Sequence, residues 1–102
     1  MTMNERQGTN VQALRILIVG GGGREHALAW RCRAEGHEVH AAPGSEGIAE
    51  DATCHAVAAS DLAGLVALAD RLRPELVIVG PEQPLVDGLA DRLRAAGHAV
   101  LG

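Results

Sequence analysis

Apolar residues along this chain fall into two kinds of run. Residues 15–19 and 76–79 are almost entirely apolar, and each run is followed by glycine. Uninterrupted runs of this kind are typical of parallel strands that are buried on both faces. Residues 62–72 and 85–93 instead place apolar side chains at every third or fourth position, which predicts helices that bury one face.

The order of these runs predicts five strands alternating with three helices. We expect strands at residues 15–19, 38–42, 55–58, 76–79 and 98–101, and helices at residues 24–35, 62–72 and 84–96. Asp61 is suited to cap the second helix, and Pro84 fits the first turn of the third. With right-handed crossovers, this order predicts an α/β fold: a doubly wound parallel five-stranded sheet, ordered 3-2-1-4-5, with helices on both faces.

The composition bounds the size and the partners of the domain. The chain has 102 residues, of which 47% are hydrophobic, so it can build one small core. We expect residues 14–102 to form that domain and residues 1–13, which show no periodicity, to form a flexible tail. The net charge of −4 and the absence of Phe and Tyr argue against nucleic acid as a partner.

The chain carries no sequence signal for a membrane or for export. No apolar stretch reaches about 20 residues, the length that a membrane span needs, and the polar N-terminus lacks the pattern of a signal peptide. Cys32 and Cys54 fit neither a metal site nor a disulfide framework, so we expect free thiols in a reducing compartment. These features predict a cytoplasmic protein.

Three loops of unusual composition follow predicted strands. They comprise residues 20–26, 43–47 and 80–84, with the sequences Gly-Gly-Gly-Gly-Arg-Glu-His, Pro-Gly-Ser-Glu-Gly and Gly-Pro-Glu-Gln-Pro. Ligands of doubly wound sheets bind outside the carboxyl ends of the strands, and the predicted topology brings all three loops to that edge. We therefore expect the ligand site to lie among them.

The four consecutive glycines at residues 20–23 indicate a phosphate. Backbone without Cβ atoms can approach a ligand closely, and the N–H groups of the following helix are available to an anion. The alternative is a tight turn that needs glycine only for packing. The dinucleotide fingerprint G-x-G-x-x-G fails in every frame, because Glu25 or His26 takes the third glycine position or Arg24 takes the second. A Walker A loop is excluded because no Gly-Lys-Ser/Thr follows.

Charged residues in these loops are further candidates. Glu82 follows a buried strand in a loop stiffened by two prolines. Its carboxylate could accept hydrogen bonds from ribose hydroxyls or attract an amine, or it could be a solvated loop residue. Arg24 could bind the phosphate or pair with Glu25, and His26 is expected to orient the glycines or pack against them.

The three loops resemble the motifs of a known family. Residues 19–30, Val-Gly-Gly-Gly-Gly-Arg-Glu-His-Ala-Leu-Ala-Trp, look like the opening motif of the phosphoribosylamine–glycine ligases. Residues 42–47 and 79–86 are similar to the next two motifs of that family, and the resemblance covers residues 15–102. It implies the Rossmann-like, substrate-binding N-terminal domain, or pre-ATP-grasp domain, of an ATP-grasp ligase of purine biosynthesis.

The resemblance also implies a reaction. In that family ATP phosphorylates the carboxylate of glycine, and the amine of 5-phosphoribosylamine attacks the acyl phosphate to give glycinamide ribonucleotide, ADP and phosphate. The N-terminal domain holds the phosphoribosyl substrate, and the remaining ATP-grasp domains bind ATP and Mg²⁺ or Mn²⁺. We therefore expect this segment alone to bind neither ATP nor metal and to have no ligase activity.

Six residues of this chain match the substrate-binding motifs of the family. They are Gly22, Gly23, Arg24, Glu82, Pro43 and Gly44. The resemblance implies that Gly22, Gly23 and Arg24 lie at the phosphoribosyl end of the substrate. It also implies that Glu82 lies at the ribose or the amine, and that Pro43 and Gly44 border the same pocket. The family has Asn after this Pro-Gly pair, where this chain has Ser45.

Three other interpretations remain open. A nicotinamide-dinucleotide-binding module would share the fold, although the glycine fingerprint and the acidic residue after the second strand are missing. The equivalent domain of another ATP-grasp ligase, such as a biotin carboxylase, would lack the Gly-Arg-Glu-His and Gly-Pro-Glu segments. A stand-alone interaction module would need no chemistry at these loops.

Overall fold

The computed structural model describes residues 12–102, which form one parallel sheet flanked by helices. The strands are β1 (Arg15–Gly20), β2 (Glu38–Pro43), β3 (Thr53–Cys54), β4 (Leu76–Val79) and β5 (Val100–Leu101). The helices are α1 (Gly23–Ala34), α2 (Leu62–Leu72), α3 (Glu82–Val86) and α4 (Leu89–Ala95), with a 3-10 turn at Ile48–Glu50. The predicted tail lies outside the described residues, apart from residues 12 and 13.

The strands lie in the order β3-β2-β1-β4-β5, and all neighbours are parallel. The predicted doubly wound sheet is therefore confirmed. β1 pairs with β2 as far as Gly20 opposite Pro43, and with β4 as far as Val19 opposite Val79. This register brings the ends of β1, β2 and β4 to one level, here called the carboxyl edge.

β1 is buried on both faces, as its apolar run predicts. Ile16 and Ile18 pack on the side of α1, whereas Leu17 and Val19 pack against the buried leucines of α2 and α4. Each of the four is at most 3% exposed. Burying one such side chain stabilises a fold by about 1.5–3 kcal/mol, so these contacts hold helices on both faces of the sheet.

The local signals of α2 act as predicted. The Asp61 carboxylate accepts a hydrogen bond from the N–H of Gly64 at 2.9 Å, which caps the first turn. The helix ends at Leu72, two positions before Pro74. None of the helices within residues 12–102 is long and apolar enough to cross a membrane.

The edge strands differ from the prediction. β3 lies at Thr53–Cys54, ahead of the predicted residues 55–58. Only two positions pair with β2, and the chain then turns, with the N–H of Val57 donating to the carbonyl of His55. The last strand begins at Val100 rather than at residue 98.

The third predicted helix is broken in two. Gly88 has φ +95°, which only glycine adopts readily, and it separates α3 from α4. Its N–H donates to the carbonyl of Leu85, which closes the end of α3. Val86, which falls in the predicted apolar run of residues 85–93, is 73% exposed.

A chain of polar side chains joins β1, β2 and the segment after β3. Arg15 Nε donates to Glu38 Oε2 at 2.8 Å, His40 Nε2 lies 2.6 Å from the same oxygen, and His40 Nδ1 lies 2.9 Å from His55 Nε2. Because a carboxylate can only accept, the His40 Nε2 carries a proton. The Nδ1 of a neutral His40 ring then accepts from His55.

Two members of this chain have displaced pKa values. The hydrogen bond from His40, followed by that from Arg15, lowers the pKa of the Glu38 carboxyl. Burial lowers the pKa of His55, and the charge that His40 carries when it is protonated, followed by the charge of Arg71, lowers it further.

Stability should therefore fall in two steps as the pH is lowered. The unfolded chain binds a proton at His55 from its ordinary pKa of 6.5 downward, while the folded chain does so only at lower pH, so acid favours unfolding. The lowered pKa of Glu38 adds a second step below its ordinary value of 4.5. Urea unfolding of His55→Gln between about pH 8 and about pH 3 should lose the first step and keep the second.

The exposed His26 supplies the control. His26→Gln should retain both steps of the wild-type profile. If His55→Gln instead keeps the full loss of stability between about pH 7 and about pH 5.5, the pair of His40 and His55 does not cause the first step.

Candidate functional site

Three loops meet at the carboxyl edge, as the topology predicts. We call them the glycine loop (residues 20–23), the Pro43 loop (residues 43–47) and the Pro81 loop (residues 80–84). The N–H of Gly44 donates to the carbonyl of Gly20 at 3.1 Å, and the N–H of Gly80 donates to the carbonyl of Val19 at 3.1 Å. Backbone hydrogen bonds therefore connect the end of β1 to both other loops.

The glycine and Pro43 loops are in direct backbone contact. A Cβ atom at Gly21 would lie 2.5 Å from the carbonyl oxygen of Gly44, so only glycine permits this approach. Gly44 has φ +73° and faces the Sγ of Cys54, where a side chain would collide. Pro43 follows a cis peptide bond and ends β2 opposite Gly20.

Glu25 is the side chain of this edge whose role the sequence analysis missed. It is only 5% exposed, and its Oε1 accepts a hydrogen bond from the N–H of Gly22 at 2.8 Å. A Cβ atom at Gly20 would lie 2.8 Å from its Cδ, and one at Gly80 would collide with its Oε2. The carboxylate therefore fills the space between the ends of β1 and β4. The Gly22-x-x-Glu25 spacing is that of a capping box, and this pattern in the sequence could have predicted the hydrogen bond from Gly22 to Glu25.

These contacts change the interpretation of the glycine loop. Packing accounts for Gly20 and Gly21, as described above. It also accounts for Gly22, where a Cβ would be in tight contact with Glu25 Oε1, at 3.1 Å. At Gly23, by contrast, the described residues place no atom within 4 Å of where a Cβ would be, apart from those of its chain neighbours and of its own helix backbone. The packing alternative thus applies to three glycines, and the fourth leaves open space at the start of α1.

Arg24 links the glycine loop to the Pro81 loop. Its Nη2 donates to the carbonyl of Gly80 at 2.6 Å, and its Nε lies 3.9 Å from Glu25 Oε2. The side chain is nevertheless 78% exposed. Because a guanidinium has five N–H donors in a planar fork, Arg24 can hold Gly80 and still present donors to an anion.

The structure places the other candidates on the same edge. Glu82 is exposed and is the first residue of α3, directly after Pro81. His26 packs against the Pro43 loop, because a Cβ at Gly47 would lie 2.7 Å from its Cε1. The Ser45 hydroxyl accepts a hydrogen bond from the N–H of Ile48 at 3.1 Å, so it is engaged within its own loop.

Two further features are not among the six predicted site residues. A cavity of about 370 Å³ lies beside the amino end of β2 and is lined by residues that include Arg33, Glu38 and Asp51. Cys32 and Cys54 are both half-buried free thiols, as predicted. Burial raises the pKa of Cys32, and the charge of Glu35 raises it further, so this thiol is a poor nucleophile.

Comparisons with known proteins test the family resemblance of the three loop motifs. Residues 14–102 match the family described as "Phosphoribosylglycinamide synthetase, N domain". The chain is 51% identical over 94 residues to the phosphoribosylamine–glycine ligase of Streptomyces coelicolor, and 50% identical over 93 residues to that of Xanthomonas campestris. Each alignment covers 87% of this chain and 22% of the relative, so the chain spans less than a quarter of the length of these proteins.

A solved structure agrees with these matches. The crystal structure of the phosphoribosylamine–glycine ligase of Thermotoga maritima superposes with a TM-score of 0.52 at 32% sequence identity, covering 66% of this chain and 16% of that one. The resemblance inferred from the three motifs is therefore confirmed, and the two interpretations that placed the chain in another ligand-binding family are set aside. The chain belongs to the family of phosphoribosylglycinamide synthetase N domains.

Proposed function

We propose that this chain is the part of a phosphoribosylamine–glycine ligase that holds the phosphoribosyl group of 5-phosphoribosylamine. The observation that carries the proposal is the meeting of the three loops around the open start of α1 at Gly23. The named relatives are ligases of this type, of which the chain spans 22%. Because the chain spans so little of these relatives, the ligase activity of a full-length enzyme is also proposed rather than shown.

The start of α1 is the proposed phosphate site. Gly23 and Arg24 open the helix, so their N–H groups have no acceptor within it. The positive end of the helix dipole adds to their attraction for an anion, and the exposed Arg24 guanidinium supplies a full positive charge. Each hydrogen bond to a charged group contributes about 1.5–3 kcal/mol, enough for a few of them to hold a phosphate.

The Pro81 loop is the proposed site for the ribose or the amine. Glu82 follows Gly80, which Arg24 binds directly, so the phosphate and ribose ends are connected through one side chain. A carboxylate can accept hydrogen bonds from two ribose hydroxyls or attract an amine. Pro43 and Gly44 border the same edge, and the Ser45 hydroxyl, already bonded to Ile48, is given no ligand contact.

The proposed reaction needs groups beyond those of this segment. ATP phosphorylates the glycine carboxylate, and the substrate amine then displaces phosphate to form the amide of glycinamide ribonucleotide. Residues 12–102 hold no group of three or more histidine, cysteine or carboxylate side chains that could bind a metal ion. From the family resemblance, we assign ATP and Mg²⁺ or Mn²⁺ to the remaining domains of a full-length ligase, and we expect this segment alone to be inactive.

Substitution of Glu82 tests the ribose and amine end. In a full-length ligase carrying this domain, Glu82→Ala should lower kcat/KM for phosphoribosylamine by about tenfold or more and change the KM for ATP less than about twofold. Asp91→Ala, which removes an exposed carboxylate from α4, should leave both constants unchanged. An unchanged kcat/KM for phosphoribosylamine in Glu82→Ala would remove this residue from the site.

Two alanine substitutions separate packing from binding in the glycine loop. Gly21→Ala should lower the free energy of unfolding by about 1–3 kcal/mol, because its Cβ meets the Gly44 backbone. Gly23→Ala should change that free energy by less than about 0.5 kcal/mol, because its Cβ meets open space. It should nevertheless weaken binding of ribose 5-phosphate by about tenfold, a loss of about 1.4 kcal/mol.

Urea unfolding and calorimetric titration provide the two readouts. If Gly23→Ala binds ribose 5-phosphate as tightly as the wild-type chain, the phosphate does not lie against Gly23. If Gly21→Ala is as stable as the wild-type chain, the two loops can separate without cost, and the close approach of their backbones is not a constraint.

A further inference from the structure

We propose that Glu25 is a specificity-determining residue, which lets the glycine loop accept a single phosphate group and reject a diphosphate. The proposal rests on the proposed function, because it assigns the selectivity of the same phosphate site. In the frame that begins at Gly20, Glu25 stands where dinucleotide-binding loops have their third glycine. What its side chain does there follows from three contacts.

The first contact removes a donor that a diphosphate would need. In dinucleotide-binding loops the pyrophosphate lies along the N–H groups of the glycine turn and the start of the helix. Here the N–H of Gly22 donates to Glu25 Oε1 at 2.8 Å. Because Glu25 is 5% exposed, solvent competes little for that bond. An anion must bind further along, at Gly23 and Arg24.

The second and third contacts fix the carboxylate in place. A side chain at Gly20 or at Gly80 would collide with Glu25, so the two strand ends enclose it from both sides. The carboxylate cannot swing away without leaving this space empty. A group bound over Gly22 would therefore meet a held side chain rather than a mobile one.

Charge makes the exclusion selective for diphosphates. Arg24 is the cation beside Glu25, with its Nε 3.9 Å from Oε2, so its single positive charge is already shared with one carboxylate. One further phosphate at Gly23 can still use the helix N-terminus and the exposed face of the guanidinium. A second phosphate over Gly22 would face the Glu25 carboxylate at short range in a partly buried setting, where like charges repel strongly.

Calorimetric titration of the 102-residue chain with ribose 5-phosphate and with ADP-ribose tests the proposal. The wild-type chain should bind ADP-ribose about tenfold or more weakly than ribose 5-phosphate. Glu25→Gln keeps the side-chain length and an acceptor for the Gly22 N–H but removes the charge. It should bind ADP-ribose about tenfold more tightly than the wild-type chain does, which is about 1.4 kcal/mol, and ribose 5-phosphate within about threefold.

Glu50→Gln is the matched control. It removes an exposed carboxylate from the 3-10 turn and should change neither affinity. A folded Glu25→Gln variant, with wild-type Tm, that binds ADP-ribose no more tightly than the wild-type chain would overturn the proposal. So would a wild-type chain that binds both ligands with equal affinity, and this second measurement holds even if the variant does not fold.

The outcomes also separate this proposal from the function on which it rests. A wild-type chain that does not bind ribose 5-phosphate contradicts the proposed function. In that case a gain of ADP-ribose binding in Glu25→Gln would still support Glu25 as the excluding residue, and no gain would overturn it.

Discussion

The burial of β1 on both faces is the constraint on which the rest of the structure depends. Its alternate side chains form the centres of two separate cores, so α1 and the pair α2 and α4 are held on opposite faces of one strand. Its two edges are hydrogen-bonded to β2 and β4 in register. The residues that follow β1 are therefore fixed between two other strand ends, and this gives the glycine loop its neighbours.

The centre of the fold could be predicted because its causes are local in the sequence. Apolar runs without interruption predict β1 and β4, and the handedness of crossover connections then determines the strand order. The periphery depended on contacts between distant residues. β3 is only as long as its pairing with β2 allows, and the break at Gly88 depends on a left-handed conformation that a helical pattern does not reveal.

The hydrogen-bonded side chains from Arg15 to His55 also depend on contacts between distant residues, which the sequence does not reveal. Arg15 and Glu38 are opposite each other only because of the register between β1 and β2. His40 meets His55 only because β3 lies at the sheet edge. Neither pairing follows from spacing along the chain, so composition alone could not indicate that protonation here should alter stability.

The candidate site was predictable in its location but only partly in its chemistry. Strand ends and loop composition pointed to the carboxyl edge, and the loops do meet there. The glycines, however, serve two purposes that their sequence does not distinguish. Three make room for backbone or for Glu25, whose place depends on the distant Gly80, and only the fourth, Gly23, faces open space.

In the proposed site, the phosphate binds at Gly23 and Arg24 rather than over Gly22. Nuclear magnetic resonance of the ¹⁵N-labelled chain during titration with ribose 5-phosphate, with ribose as the reference, tests this most directly. We expect the phosphate-dependent shifts to be largest at the amides of Gly23 and Arg24 and small at Gly22, whose N–H donates to Glu25. Shifts that are largest at Gly22, or that lie away from the carboxyl edge, would contradict this placement of the phosphate.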